Sequence, residues 1–378
     1  MTYTQNIAII GGGIIGLSIA WRLAQSGCNV SVFEKQRLGQ GATWAAAGML
    51  AAGTEAEPGE TDLVALGMRS QVLWPEFAAE LQTVSGIDVD LRTEGTLTVA
   101  LTRDDARRLE QAAEIRRAAG VKTAWLDRRA LRQKEPYLAP GANAALYCAD
   151  DHQVDNRAVL RALIAACRAA GVALFEQTPV DGLVEQQGMV RGLRCGDTVH
   201  RADQVVVAAG PWSGEFAMPV RPLKGQSLAL RMDPTRPVVR HVVWGPNLYM
   251  APKSDGRLIL GATMEEVGFN QDMTAGGVLS LLEAAWRLVP SVEHLAIDES
   301  WAGFRPGSRD DAPLFGPAGP KGVVVATGHH RNGILLAPVT ADIIACYVKD
   351  GTHDPALERF AANRFEGIAD HTIKESVS

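Results

Sequence analysis

The chain has 378 residues, 47% of them hydrophobic, and its 37 Lys and Arg against 43 Asp and Glu leave a net charge of −6. That length builds about two cored domains, and the lack of a basic stripe or an aromatic-interleaved Lys/Arg run argues against nucleic acid as a partner. No apolar run approaches the roughly 20 residues of a membrane span, and polar first residues leading straight into a strand leave no room for a signal peptide, so a cytoplasmic protein is expected.

The first element carries most information. Asn6-Ile7-Ala8-Ile9-Ile10 reads as a strand that runs into Gly11-Gly12-Gly13-Ile14-Ile15-Gly16. Leu17, Ala20, Leu23 and Ala24 mark the apolar face of a helix. Val30-Ser31-Val32-Phe33 then reads as a second strand ending in Glu34, eighteen residues after Gly16. This is the dinucleotide-binding βαβ pattern. Gly11 permits the tight turn, Gly13 lets the backbone approach a pyrophosphate, and Gly16 lets the helix pack closely on the strand. Phosphate oxygens would meet the free amides and positive end of the helix. Glu34 can accept both ribose hydroxyls and would repel a 2′-phosphate, which argues against NADP. The glycines alone do not separate FAD from NAD.

Residues 39–53 form a Gly/Ala-rich loop, and a helical pattern runs from about 62 to 81. Residues 96–101 alternate as a strand, and 104–119 read as a charged amphipathic helix stopped by Gly120. Asp155 suits the N-cap of a helix over 157–170 that ends at Gly171. Short strands are predicted at 174–175, 180–184 and 190–193, and a second buried strand at 204–210. Antiparallel strands follow over about 220–305, with a hairpin of 248–251 and 258–261 around Ser254-Asp255-Gly256, interrupted by a helix near 278–288. Residues 322–327 are another buried strand, followed by Gly328-His329-His330-Arg331-Asn332-Gly333. Pro338 opens a last helix through Tyr347, and the last dozen residues are polar and expected to be loose. Nucleotide-type strands return after β-rich material, so an α/β fold with a discontinuous dinucleotide domain is expected (1–85, 144–219, 306–366). A substrate domain is inserted in two pieces (86–143 and 220–305), with a tail at 367–378.

Five cysteines (Cys28, Cys148, Cys167, Cys195, Cys346) lack C-x-x-C spacing and suggest reduced, mostly buried thiols. His329 and His330 are adjacent on a strand end and should point apart, and no carboxylate lies at a spacing that completes a ligand set, so no metal site is expected. No G-x-S-x-G elbow supports a hydrolase.

With these pieces in order, the chain resembles the D-amino-acid oxidase family of flavoproteins, and within it the glycine oxidases. The matching segments are Gly11 to Gly16 with Glu34; Ala45-Ala46-Ala47-Gly48-Met49-Leu50; Val154-Asp155-Asn156-Arg157; Pro179-Val180; residues 205–213; Gly261-Ala262-Thr263-Met264; Gly303-Phe304-Arg305-Pro306-Gly307; and residues 328–333. The resemblance implies a Rossmann-type FAD-binding domain with an inserted antiparallel-sheet (α+β) substrate domain, and non-covalent FAD. Covalent attachment is not expected, because 305–316 contains no cysteine and Cys346 falls in the last helix. The implied FAD contacts are Gly11, Gly13, Ile14, Ile15, Gly16, Glu34 and Lys35 at the nucleotide end. Thr43, Ala46, Ala47, Gly48, Met49, Val180, Ala209, Gly210 and Trp212 follow, then Arg305, His330, Arg331, Asn332, Gly333 and Ile334.

In the resembling family the arginine of the G-x-R-P segment binds the substrate carboxylate, and this implies Arg305 as the anchor. An arginine's planar fork suits that task through two parallel charge-assisted hydrogen bonds; the plain alternative is a surface ion pair with Asp310 or Asp311. The resemblance adds the Tyr249 hydroxyl to the same carboxylate, although a half-buried strand tyrosine would read the same way. It places Arg331 at the substrate end, in a loop whose amides can face the flavin C2 carbonyl and stabilise negative charge, and has Met264 and Met49 narrow the pocket, where core packing is the alternative. Asn247 stands where some glycine oxidases have a histidine. The implied reaction is oxidation of glycine, sarcosine or a small D-amino acid at the α-carbon, with O2 as acceptor, in a homotetramer, and with a role in thiamine synthesis. Two rivals remain: a D-amino-acid or hydroxyproline dehydrogenase using another acceptor, and a flavoprotein subunit that needs a partner.

Overall fold

The computed structural model describes residues 4–365. Six short strands form one sheet in the order Leu314–Pro317, Val323–Thr327, Gln204–Val207, Asn6–Ile10, Asn29–Phe33, Ala173–Phe175. All neighbours are parallel except the first pair. The runs of Val323–Thr327, Gln204–Val207 and Asn6–Ile10 are nearly all Val, Ile and Ala because both faces are covered. Helices Ile14–Gln25, Thr61–Ser85, Asn156–Ala169 and Ala337–Asp350 pack into one large core with this sheet. The strand before Gly11, the helix after Gly13 and the acidic end at Glu34 are therefore in the register expected of a Rossmann-type unit. A three-stranded sheet (Thr198–Arg201, Met189–Cys195, Gly182–Gln186) lies beside it.

The second body is an eight-stranded sheet in the order Ala296–Gly307, Arg221–Arg231, Arg257–Gly261, Leu248–Pro252, Val242–Gly245, Thr96–Ala100, Ala144–Cys148, Ala124–Asp127. It is antiparallel except where Val242–Gly245 runs parallel to Thr96–Ala100. The helix Ala275–Leu288 closes a separate core over it.

Several expectations change. The strand Ala144–Cys148 pairs with Thr96–Ala100 and Ala124–Asp127, so the boundary expected at 144 falls inside the second sheet. Apolar periodicity reports burial of a strand but not which sheet buries it. The strand expected at 180–184 is Gly182–Gln186, and Val180 precedes it. The glycine-rich loop contains a helical turn, Ala42–Ala45, and a two-residue strand, Met49–Leu50, paired with His152–Gln153. The helix opened by Pro338 runs over Ala337–Asp350 and is followed by another, Pro355–Arg359. Only Cys148 and Cys167 are buried, their thiols pushed up to about 12 by desolvation, while Cys346 is exposed. The tail expected at 367–378 lies outside the described residues. Among the described residues, no helix is long and apolar enough to cross a membrane.

Candidate active site

A cavity of about 1080 Å³ runs between the two sheets. That exceeds most small-ligand sites, which span roughly 300–1,000 Å³, and leaves room for a large cofactor with a small substrate. At one end lie Gly11, Gly13, Ile14, Ile15 and Glu34; the other is walled by Tyr249, Arg305, Met264, Arg331 and Glu55.

The nucleotide end fits the cofactor implied for it. Gly11 has φ +109°, which only glycine adopts readily. A side chain at Gly13 would meet only the Thr43 hydroxyl, at 3.2 Å, so the backbone is open to the cavity there. Gly13 caps the helix without a side-chain acceptor, which leaves first-turn amides for phosphate oxygens; that of Ile14 donates to Thr43 Oγ1 at 2.9 Å. The Glu34 carboxylate accepts from the amides of Gly12 and Gln36, both at 2.9 Å, and is held at the strand end where ribose hydroxyls would meet it. Glu34→Ala should therefore weaken FAD retention while leaving the fold intact. Bound flavin after dialysis against wild type checks this, and equal content would remove the ribose role.

Residues 42, 43 and 45–48 line the cavity, and the carbonyls of Thr43, Ala45 and Ala47 are held by side chains from elsewhere in the fold. Asn156 Nδ2 donates to Thr43 O at 2.7 Å, Trp301 Nε1 to Ala45 O at 3.0 Å, and Lys253 Nζ to Ala47 O at 2.7 Å. The Lys253 ammonium also donates to Val154 O at 2.7 Å and Gln153 Oε1 at 3.2 Å, and burial lowers its pKa to about 8. With those carbonyls bound elsewhere, Ala46, Ala47 and Gly48 line the cavity without a bulky side chain among them. Nothing in the sequence pattern singled out Lys253 or Trp301, since their partners are distant in the chain.

Glycines make room for the two carboxylate-binding candidates. Arg305 sits on the strand Ala296–Gly307 and lies across the backbone of Gly225 on the neighbouring strand, where an added Cβ would come within 2.4 Å of its Nη1. Tyr249 and Gly261 are cross-strand partners, and a Cβ on Gly261 would sit 2.2 Å from the phenol oxygen. Arg305 forms no ion pair among the described residues; Nη1 donates only to Thr263 O, at 3.2 Å. The surface-pair alternative does not hold. Asp310 pairs with Arg364 at 2.7 Å, and Asp311 lies 3.8 Å from His330. Burial pushes the Tyr249 phenol above its usual range, with Arg305 opposing, so it stays a hydroxyl at neutral pH.

Of the remaining expected contacts, Ala209, Gly210, Trp212, Met49, Gly333 and Ile334 line the cavity, whereas Gly16, Lys35, Val180 and Asn332 do not. Gly16 is pressed against Gly11 O, Lys35 covers the Trp212 ring at 4.2 Å, Val180 packs on the core beside the three-stranded sheet, and Asn332 is buried. Met264 is at the rim, 62% exposed, so it does not pack in a core. Asn247 lies at the turn between two strands with φ +61° and also lines the cavity.

Arg331 is not a solvated loop residue. It pairs with Glu55 at 3.1 Å, Glu57 at 3.2 Å and Glu60 at 3.0 Å, all on the segment leading into helix Thr61–Ser85. That helix also grips the other side of the loop, through hydrogen bonds from Ser70 Oγ and Trp74 Nε1 to Leu335 O at 2.6 and 2.9 Å. His330 is buried on the cavity wall with neither ring nitrogen hydrogen-bonded among the described residues, which fits a cavity that takes a polar ligand. Burial and the nearby Arg331, Arg305 and Arg221 lower its pKa to about 3.

The sequence matches the family described as FAD dependent oxidoreductase over residues 6–347. It is 36% identical over 373 residues to the bifunctional protein ThiO/ThiG of Trichormus variabilis, covering 98% of this chain and 56% of that protein. It is also 36% identical over 359 residues to the glycine oxidase of Geobacillus kaustophilus, covering 92% of this chain and 94% of that one. The chain spans about half the length of the bifunctional relatives it matches. The crystal structure of glycine oxidase from Geobacillus kaustophilus superposes with a TM-score of 0.89 at 34% identity, covering 96% of this chain and 99% of that one.

Proposed function

Because the chain belongs to the family of FAD-dependent oxidoreductases, we propose that it oxidises glycine, or another small amine such as sarcosine or a small D-amino acid, at the α-carbon. The products are an imine that hydrolyses to a 2-oxo acid and ammonia, and hydrogen peroxide. Bound FAD would supply the hydride-accepting chemistry in the cavity, with O2 as the electron acceptor. The observation that carries this reading is that Arg305, which forms no ion pair among the described residues, and the Tyr249 hydroxyl line the same cavity as the nucleotide cradle.

The chain's own part is positioning. Arg305 receives the substrate carboxylate in two parallel hydrogen bonds and Tyr249 donates a third, which aims the Cα–H into the cavity. Met264 at the rim and Met49 on the wall limit what fits beyond the carboxylate. The reaction centre lies between the sheets, so we assign the six-stranded sheet to the cofactor and the eight-stranded sheet to the substrate. The relative in which ThiO and ThiG are one protein supports a place for the imine in thiamine thiazole synthesis.

The test is anaerobic mixing of the purified yellow protein with glycine, sarcosine, D-alanine, D-proline and hydroxyproline isomers, followed by air. Bleaching by glycine or sarcosine with rapid recolouring in air is expected. Bleaching only by a bulkier amino acid, or a bleached state that persists in air, would move the assignment to a dehydrogenase. No bleaching by any of them would point to a subunit that needs a partner.

A further inference from the structure

We propose that Glu55 accepts the proton of the substrate's ammonium group, and that Arg331 holds its carboxylate in place for this. The inference rests on the reading above. An amine oxidised by hydride loss needs its nitrogen lone pair free, yet an α-amino acid carries its amine protonated at neutral pH. A proton acceptor beside the carboxylate anchor is therefore required, or the enzyme must wait for the rare neutral amine.

The cavity wall around Arg305 offers few groups for that task. Tyr249 is a protonated phenol, and Glu57 is 62% exposed at the rim. His330 is the wrong base, since a group half-protonated near pH 3 accepts protons weakly at neutral pH. Glu55 differs from these. Its side chain lines the same cavity as Arg305 and Tyr249, is 9% exposed, and is paired with Arg331 at 3.1 Å.

Its place is fixed by its neighbours. The amides of Gly53 and Thr54 donate to the Asp151 carboxylate at 2.9 and 2.8 Å, Arg116 donates to Thr54 O at 2.6 Å, and Arg331 donates to Glu55 O at 3.2 Å. Arg331 Nε also pairs with Oε2, while Oε1 accepts no hydrogen bond among the described residues. Burial raises the Glu55 pKa to about 7; Asp151 and Glu60 add to the rise, and Arg331 and Arg305 oppose it. The carboxylate is thus poised near the working pH, where a proton acceptor is most effective.

In the step itself an ammonium N–H bond breaks, its electron pair stays on nitrogen, and an O–H bond forms on Glu55. The α-C–H bond then breaks with its electron pair leaving as a hydride, as in the proposed reaction, the nitrogen lone pair forms the C=N bond, and Glu55 releases its proton to solvent as product departs. Below pH 7 Glu55 holds its own proton and cannot accept another.

Anaerobic stopped-flow reduction of the FAD-loaded protein by glycine, across pH 5.5–10, tests this, with acetate binding by flavin absorbance as a second readout. In wild type, the second-order rate constant for flavin reduction should carry an acidic limb near pH 7. Glu55→Gln should lose that limb and reduce about 10²- to 10⁴-fold more slowly at pH 7, approach wild type at high pH where the amine is neutral in solution, and bind acetate normally. Glu55→Asp should restore part of the rate. A wild-type profile without a limb near 7 overturns the proposal whatever the variants do. So does a Glu55→Gln enzyme with wild-type rate and profile, or one whose deficit is equal at every pH and accompanied by lost acetate binding. Failure of the functional reading looks different: wild type itself is not bleached by any of the amines at any pH.

Discussion

Replacing Arg305 by alanine should lower kcat/KM for every carboxylated substrate by about 10²- to 10⁴-fold, since two charge-assisted hydrogen bonds worth about 1.5–3 kcal/mol each are lost. The protein should stay yellow and folded, because among the described residues the guanidinium contributes only one hydrogen bond, to Thr263 O. Arg305→Lys keeps the charge but loses the planar fork and should fall between. Gly225→Ala gives an independent check from the neighbouring strand: its methyl would occupy the space of the guanidinium, 2.4 Å from Nη1, and should displace the anchor without touching its charge. Steady-state kinetics with glycine and binding of acetate measure all three. Near-normal kinetics of Arg305→Ala would end its role as the anchor.

A second large effect should appear in stability below neutral pH. His329 is 2% exposed, its Nε2 lies 3.2 Å from Thr340 Oγ1, and burial lowers its pKa from 6.5 to about 3. His330 is lowered to about the same value. For a base whose folded pKa is depressed, the unfolded chain takes up protons first. Stability is therefore full above about pH 6.5 and is lost as pH falls towards 3. The loss is about 1.4 kcal/mol per histidine per pH unit, or about 2 kcal/mol each at pH 5. Glu55 acts in the opposite sense, because its raised pKa makes its ionised form unfavourable in the fold, and protonation between about 7 and 4.5 returns stability. The two histidines together outweigh it. His329→Leu should be less stable at pH 7, where its hydrogen bond is lost, but its melting temperature should fall less steeply with acid. Thermal unfolding of both proteins at several pH values and equal FAD content reads the slope, and parallel curves would show that His329 does not titrate on unfolding.

Much of the cofactor end was legible because its determinants are local. The strand, Gly11, Gly13, Gly16 and Glu34 lie within 30 residues of one another, and the backbone geometry that binds a nucleotide is set by steric rules acting along that short stretch. Arg305 and Tyr249 were singled out through resemblance, but no spacing could show that Gly225 and Gly261 leave the space they occupy. Arg331 could be placed at the substrate end, yet its three glutamate partners lie about 270 residues away in sequence, in a stretch that reads only as a loop.

The sequence by itself determined the chemistry available: a nucleotide-binding βαβ unit, a returning pair of buried strands, and an arginine and a tyrosine on the strands between. Local rules suffice there, since glycine, apolar alternation and caps act over a few residues. Tertiary structure alone decided which of these groups share one cavity and in what electrostatic state. Lys253 behind Ala47, Glu55 beside Arg331 and His330 buried on the cavity wall are products of burial and of contacts across more than a hundred residues. Desolvation, which moves their proton affinities, exists only once both sheets have closed around the same space.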